Sequence, residues 1–459
     1  MMPTDICGHS KFPSKLEHHK SWIMFTPTEL LKQYLKEAFN REEVPASEER
    51  IKTWSDYRRY LARDVFNILK SSTGGQLILN DSKAIIHKCS LEQLIDWYKN
   101  YKSFFNNQIL NQLKLSSTWL KNNVDEKNII KLSKDLDNLL NKDNCDEINI
   151  YILISIDKLK DRVSRTLIKF QEQTTSIIKK SLNYLLNTNE NFLNELQKFI
   201  KELKNDPHSL QESLSEKDKD EVEENDDELS ESDLTRDYNT AVRSLARAKF
   251  TKRKLDPNSK SSKIIHWLKD RVLSEEKLMK LGKNLIIQSH LRKFLNPLKL
   301  YIDNASSLYL LYRKEKVKNN SPWYTNDIKM QNDVNSVELD MIILLSLQNI
   351  KSLIQFFSEN EISRRFPLAD LIFSEYRNQV LVDEITDFSP IQLACMKALT
   401  NPKINSFVGC GDFNQRITPW GTRTIEEMNW ILPKVEIKSI NIQFSRKRIW
   451  GSQFNDTVA

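Results

Sequence analysis

Two short segments late in the chain carry the side chains best suited to chemistry. In Gln379-Val-Leu-Val-Asp-Glu-Ile-Thr-Asp387 a run rich in β-branched residues ends in Asp383-Glu384. Such a run predicts a buried parallel strand, and carboxylates at the carboxyl end of a buried strand sit where open α/β sheets bind ligands. An aspartate there can hold Mg²⁺, and a neighbouring glutamate can polarise a water for attack on a phosphoryl group. About 25 residues on, Ser406-Phe-Val-Gly-Cys-Gly-Asp-Phe-Asn-Gln-Arg-Ile417 repeats the pattern: an apolar run, Gly411-Asp412, then Gln415. A glutamine three residues after the turn can present its amide to a γ-phosphate. Trp420 follows, with two readings: a ring that stacks on a base, or a core residue.

The elements around these segments follow from breakers and periodicity. Only 8 glycines occur in 459 residues, and three of them, Gly409, Gly411 and Gly421, fall within thirteen positions. No proline lies between Pro45 and Pro207. Without breakers, that stretch predicts long helices, as a bundle or as ordinary core helices. Trp22 to Phe25 predicts a strand, and Thr26 or Thr28 a cap for a helix through Phe39, with Pro27 in its first turn. A second helix is expected over 50–69, with Trp54, Tyr57, Leu61, Val65 and Phe66 on one face. Another is expected over 334–360.

Charge is uneven. Residues 216–233 hold eleven acids and two lysines, which predicts a solvated, disordered loop; with that run at −9 and the whole chain at +7, the remainder carries +16. Residues 236–254 follow with seven Arg/Lys against one Asp, and Arg243 and Arg247 lie one helical turn apart. This stripe either binds a phosphate backbone or is a solvated helix face. No apolar run reaches the roughly 20 residues that a bilayer span needs. The first twenty residues contain three His, three Lys and no apolar core. With five scattered Cys (7, 89, 145, 395 and 410) and no CxxC, these features lead to an expected cytoplasmic location with free thiols.

The sequence LVDEITDFSPIQL resembles the DExx motif II (VDEAQDFSPLQ) of UvrD/Rep/PcrA-like superfamily 1 DNA helicases. GDFNQRITPWG resembles their motif III (GDxxQxIYxWRG) at fitting spacing, and MFTPTELLKQYL looks like motif Ia. Ile51-Lys-Thr-Trp54 falls where motif Ib would lie, and the strand before Arg446 where motif IV would lie. The resemblance implies an ATP-dependent 3′–5′ translocase on single-stranded DNA. In that family Asp383 would coordinate Mg²⁺, Glu384 would activate water and Gln415 would sense the γ-phosphate. Asp412 and Arg446 would bear on the nucleotide. Thr26, Pro27, Thr28, Thr53, Trp54 and Trp420 would face DNA.

The pattern departs in three places. GxxxxGK[ST], whose amides and lysine cradle phosphates, occurs nowhere in the sequence. The second RecA-like domain with its arginine finger is not recognisable. Ile385-Thr386 replaces the family's Ala-Gln, which bears on coupling between nucleotide and DNA. The expectation is therefore a truncated fragment, weak or inactive alone, its missing parts supplied by a neighbouring chain; the alternative is a non-catalytic DNA- or partner-binding remnant.

The expected fold class is α/β, mainly helical: an incomplete RecA-like parallel sheet of a P-loop NTPase with a large all-α insertion. The expected divisions are 1–80 and 331–440 for the two parts of the sheet domain and 81–330 for the insertion, with a disordered acidic loop over 206–235. Residues 441–459 would begin the second domain.

Overall fold

The computed structural model describes residues 21–44, 47, 49–72, 74–81, 93–141, 150–204, 231–319, 321, 323–324, 332–412, 418, 421–433, 436 and 438. The chain is mainly helical. It opens with β1 (Trp22–Thr26), α1 (Glu29–Arg41), β2 (Ile51–Thr53), α2 (Trp54–Tyr60), a π-helical turn (Leu61–Val65) and β3 (Ile78–Leu79). Ten helices follow: α3 (Leu94–Asn123), α4 (Lys127–Leu140), α5 (Ile150–Asp157), α6 (Lys160–Thr188), α7 (Phe192–Lys204), α8 (Glu231–Phe250), α9 (Lys260–Leu268), α10 (Glu275–Arg292), α11 (Pro297–Asp303) and α12 (Ala305–Lys318). The last part holds β4 (Asp333–Val334), α13 (Ser336–Leu353), α14 (Glu359–Arg365), α15 (Pro367–Glu375), β5 (Gln379–Val382), α16 (Pro390–Ala398), β6 (Ser406–Gly409) and α17 (Ile425–Ile431). Two compact units result, one from Met1–Lys99 with Glu315–Ala459, the other from Asn100–Lys314. The expected acidic loop falls largely outside the described residues; its last positions, Glu231 to Asp233, begin α8. No described helix is long and apolar enough to cross a membrane. Cys395 and Cys410 are free thiols, one buried and one exposed, and the other three cysteines lie outside the described residues.

The first unit is built on a four-stranded sheet, ordered β2-β1-β5-β6, with every pair parallel. β1 is WIMFT, buried at all five positions, as a strand covered on both faces must be. Its register sets Met24 beside Ile51 on one side and Leu381 on the other, and Leu381 beside Val408. α1 covers this row: its Leu35 and Phe39 pack on the cluster of Trp22, Met24 and Ile51, as does Leu381 of β5. Between the two threonines offered as its cap, the structure uses Thr28, whose hydroxyl accepts from the Leu31 amide.

The helix expected over 50–69 is present only over Trp54–Val65, as α2 and the π-helical turn. Ile51–Thr53 is a strand, because Ile51 and Thr53 alternate inward against Met24 and Thr26. Thr53 then ends the strand and caps α2, its hydroxyl accepting from the Asp56 amide. α13 begins with a capping box of Asn335 and Glu338 and is buried around nearly its whole circumference. It places Asp340, only 1% exposed, inside the unit. There Asp340 pairs with Arg58 Nη1 at 3.0 Å and accepts from the Trp54 indole N–H at 2.9 Å and the Gln392 amide at 3.3 Å. One carboxylate thus joins α2, α13 and α16. Burial pushes it up from the usual carboxylate range, against the pull of Arg58, Trp54 and Gln392.

The second unit is a helical assembly. Leu182 and Leu185 of α6, Phe192 and Leu196 of α7, Tyr238 and Val242 of α8, Leu268 of α9 and Leu281 of α10 share one core. The solitary Gly282 is explained here, since a Cβ on it would collide with the Ala246 carbonyl oxygen. Only glycine lets α10 approach α8 so closely. Further along α10, Gln288 Nε2 donates to Thr174 Oγ1 at 2.7 Å and Phe170 O at 3.0 Å. His290 stacks on Trp119 with ring centroids 4.4 Å apart. Its Nδ1 is buried without a hydrogen-bond partner among the described residues.

Two outcomes are expected. Asp340→Ala strands Arg58 in the core and should destabilise the chain by about 3–5 kcal/mol in denaturant titration, as breaking one side of a buried pair does. Burial, then Lys293, lowers His290 from 6.5 to about 4. The neutral ring's contribution is therefore complete above about pH 6.5 and lost as pH falls toward about 4. His290→Phe should flatten that acid loss, by up to about 2–3 kcal/mol, when unfolding is followed by Trp fluorescence between those pH values; an unchanged acid limb would refute the assignment.

Candidate functional site

Because β1, β5 and β6 are parallel and in register, their carboxyl ends lie on one edge of the sheet. The segments emerging there are Thr26-Pro27-Thr28, Asp383-Glu384 and Cys410-Gly411-Asp412. The Asp383 amide donates to Phe25 O at 2.9 Å, and the Cys410 amide to Val382 O at 3.0 Å. Beyond this point the ladder slips. Cys410 O accepts from the Ile385 amide, at 2.8 Å, one residue later than a regular parallel ladder has it. The extra residue makes a bulge, and bulges re-aim side chains.

Glu384 takes up that bulge. Its φ of 49° and ψ of 51° put it in the left-handed region, which costs a non-glycine residue about 1–2 kcal/mol. A 3₁₀ turn over Ile385–Asp387 follows at once. Thr386 Oγ1 donates to the Asp412 carbonyl at 3.2 Å, so the residue that departs from the motif II pattern ties the turn to the β6 segment. The glycines on β6 are needed for this approach. A Cβ at Gly409 would overlap the Ile385 side chain, and one at Gly411 would lie 3.0 Å from the Ile385 amide nitrogen. Thr418 completes the turn's support, its hydroxyl donating to Asp387 O at 2.8 Å.

The electrostatics are one-sided. Burial raises the Glu384 carboxyl above the usual range, and Asp383, Asp387 and Asp412 raise it further. Cys410 Sγ lies 3.2 Å from Asp383 Oδ1, donating to it. Although the residue is exposed, partial desolvation of its sulfur and that carboxylate push the thiol up to about 12, so it stays protonated at neutral pH and remains a donor. Sequence reading passed over Cys410 and Asp387; the only signal was their place inside the two motifs.

No family model, no curated protein and no solved structure matches the chain.

Of the residues expected to face DNA, three are interior. Thr26 is fully buried, its hydroxyl donating to Thr28 O at 3.1 Å. Thr53 is bound up in the α2 cap, where it also donates to Asp56 Oδ2 at 2.8 Å. Trp54, 2% exposed, spends its indole N–H on Asp340 and packs edge-on against Phe25. These positions shape the edge from within, which corrects their assignment to the DNA-facing surface. Pro27 is half-buried and Thr28 exposed. Arg243, exposed, and Arg247, half-buried, lie on α8 in the second unit. Part of the basic stripe around them is ion-paired, Arg236 with Asp233 and Lys249 with Glu275. Gln415, Trp420 and Arg446 lie outside the described residues, as does most of the strand expected just before Arg446.

The Glu384 geometry has a consequence for stability. With the native carboxyl raised, ionisation costs the folded state more than the unfolded one. Stability is therefore lost as pH rises through the unfolded value of about 4.3. Glu384→Gln should melt above the parent chain at pH 7 and level with it below about pH 4. Glu384→Gly, which also removes the left-handed strain, should gain about 1 kcal/mol more. Equal midpoints at pH 7 would refute both.

Proposed function

We propose that the first unit is the leading RecA-like half of a UvrD-like superfamily 1 DNA helicase, a motor that hydrolyses ATP and moves 3′ to 5′ on single-stranded DNA. What supports this is the common edge: Asp383-Glu384 beside Gly411-Asp412, at adjacent parallel strand ends, in the order motifs II and III require. Glu384 is the water-activating base, and a carboxyl raised by burial and by neighbouring acids is a better proton acceptor than an ordinary one. Gln415 and Arg446 take the phosphate-sensing roles of the resemblance. In this unit Pro27, Thr28 and Trp420 take the DNA-facing roles of the resemblance; Arg243 and Arg247, on α8 of the other unit, are separate candidates for phosphate contact.

The residues fit the cofactors unequally. Among the described residues no group of three or more His, Cys, Asp or Glu could hold a metal by itself. Mg²⁺ in nucleotide sites needs only one or two carboxylates beside phosphate and water, which suits Asp383 and Asp412. When bound, the ion would neutralise phosphate charge. The phosphate cradle does not fit, since no segment of the sequence reads GxxxxGK[ST]. On this reading a neighbouring chain supplies it. The same absence favours a second reading, a non-catalytic DNA- or partner-binding protein on the same fold.

Steady-state ATP hydrolysis with and without single-stranded DNA tests both. The motor reading expects DNA-stimulated turnover that Glu384→Gln lowers by about 10²–10⁴-fold. Turnover equal to that of the variant would discard hydrolysis by this chain and leave the binding reading. That reading expects single-strand affinity to fall steeply with salt.

A further inference from the structure

Apart from its acid edge, the first unit holds a cavity of about 700 Å³, within the roughly 300–1,000 Å³ usual for small-molecule sites. One wall is a helix face that runs from α2 into the π-helical turn and carries Arg59, Tyr60 and Arg63. The other is the segment from Leu69 to Asp81, which carries Lys70 and Ile78. In the π turn the Phe66 amide donates to Leu61 O at 2.8 Å, five residues back. Such turns are rare and frequently lie at functional sites. The second wall doubles back at Gly75, whose φ of 80° and close approach to Leu69 O leave no room for a Cβ.

The charged groups of the cavity are unequally satisfied. Asp64 accepts from Arg63 Nε and Nη2, at 3.0 and 3.1 Å. Asp81 accepts from the Ser336 amide and hydroxyl, and Asp56 from the Thr53 hydroxyl. Arg59 and Lys70 make no hydrogen bond or ion pair among the described residues; Arg59 acts on Asp56 only through space. The unspent capacity is therefore donor capacity, since neither side chain can accept. Apolar surface lies beside it. Ile78 is 47% exposed and Tyr60 40%, and the Tyr60 hydroxyl is spent on Glu375 Oε1 at 2.8 Å, which leaves the ring.

We propose that this cavity is a ligand site of its own, taking a phosphate monoester with a flat aromatic body, as in a nucleoside monophosphate or the phosphorylated end of a strand. Arg59 and Lys70 hold the phosphate, and the flat body lies on Tyr60 and Ile78. A cation fits worse, because each carboxylate of the cavity already accepts from the chain. A carboxylate fits worse too. The two cations come from different elements, so the head must accept from more than one direction, and a phosphate presents three strong acceptor oxygens. Taking both cations at once also offsets the opposing charge of Asp56 and Asp81. The ring accommodates any base, since stacking on an aromatic side chain is tolerant of base type. The site uses none of Asp383, Glu384 or Asp412, and so stands apart from the hydrolase reading.

Isothermal titration of the full chain with adenosine monophosphate, in the absence of Mg²⁺, tests the site. Saturable binding is expected, with a raised thermal midpoint. Arg59→Gln and Lys70→Gln should each weaken binding by about tenfold or more, as loss of a charge-assisted hydrogen bond does. Both side chains are exposed, so the variants should melt with the parent when no ligand is present. A short oligothymidylate with and without a terminal phosphate separates the sources. Tighter binding conferred by that phosphate, and lost in Arg59→Gln, assigns the site to a strand end. Adenosine monophosphate binding with no gain from the terminal phosphate assigns it to a free nucleotide. The proposal is overturned if neither phosphorylated probe binds, or if binding is equally tight in the parent and both variants. Binding that Asp383→Ala abolishes while Arg59→Gln and Lys70→Gln spare it would also overturn it, placing the nucleotide at the acid edge.

Discussion

The first unit depends on a charge kept where charges are expensive. Asp340 sits in the middle of an apolar helix, and its carboxylate is tolerable there only because Arg58, the Trp54 indole and the Gln392 amide converge on it. Those partners come from two elements, α2 and α16, far apart in sequence from each other and from Asp340. Trp54 and Arg58 open α2, which follows β2 directly, so the pair fixes where β2 ends. Gln392 lies in the first turn of α16, which leads away from the Asp383-Glu384 turn, and it also closes the capping box with Ser389. The buried pair thus pins the helices on both sides of the edge that carries the acids.

That edge is held as a set of compromises. The β5–β6 ladder could have continued regularly through Glu384. Instead one residue is added, Glu384 is left-handed, and two glycines are required on β6 so that Ile385 and Thr386 can approach. Each departure costs stability, and each is stabilised from elsewhere, by Thr386 on the Asp412 carbonyl and by Thr418 on Asp387. Strain and like charge concentrated at one turn are typical of sites selected for something other than stability. Cys410 belongs to the same compromise. As a protonated thiol it offers Asp383 a neutral donor in place of a cation.

What the sequence made legible was the local part. The apolar run at Trp22, the β-branched run at Val380 and the glycines after Phe407 all announced their strands, because buried parallel strands leave uninterrupted hydrophobic runs. The long helices announced themselves by lacking breakers. The strand at Ile51 was hidden because three residues are too few for periodicity, and Trp54 and Tyr57 beyond it do have helical spacing. Trp54 illustrates the limit at the site. By position it fell where a DNA contact was expected, yet its partner is Asp340, 286 residues away, and no local pattern reveals such a pairing. Gly282 is similar, since its need is set by the Ala246 carbonyl on another helix.

The gradient of burial across the sheet is a long-range property too, and it bears on how the acids are to be understood. The apolar row from Ile51 through Met24 and Leu381 to Val408 is well covered at β2 and β1 and thins toward β6, where Val408 is half-exposed. The acids emerge at that thin end, with Glu384 raised by burial and by Asp383, Asp387 and Asp412. A turn rich in carboxylates costs less beside solvent than under a second apolar layer, so the thinly covered side of the sheet is where such a turn can be held.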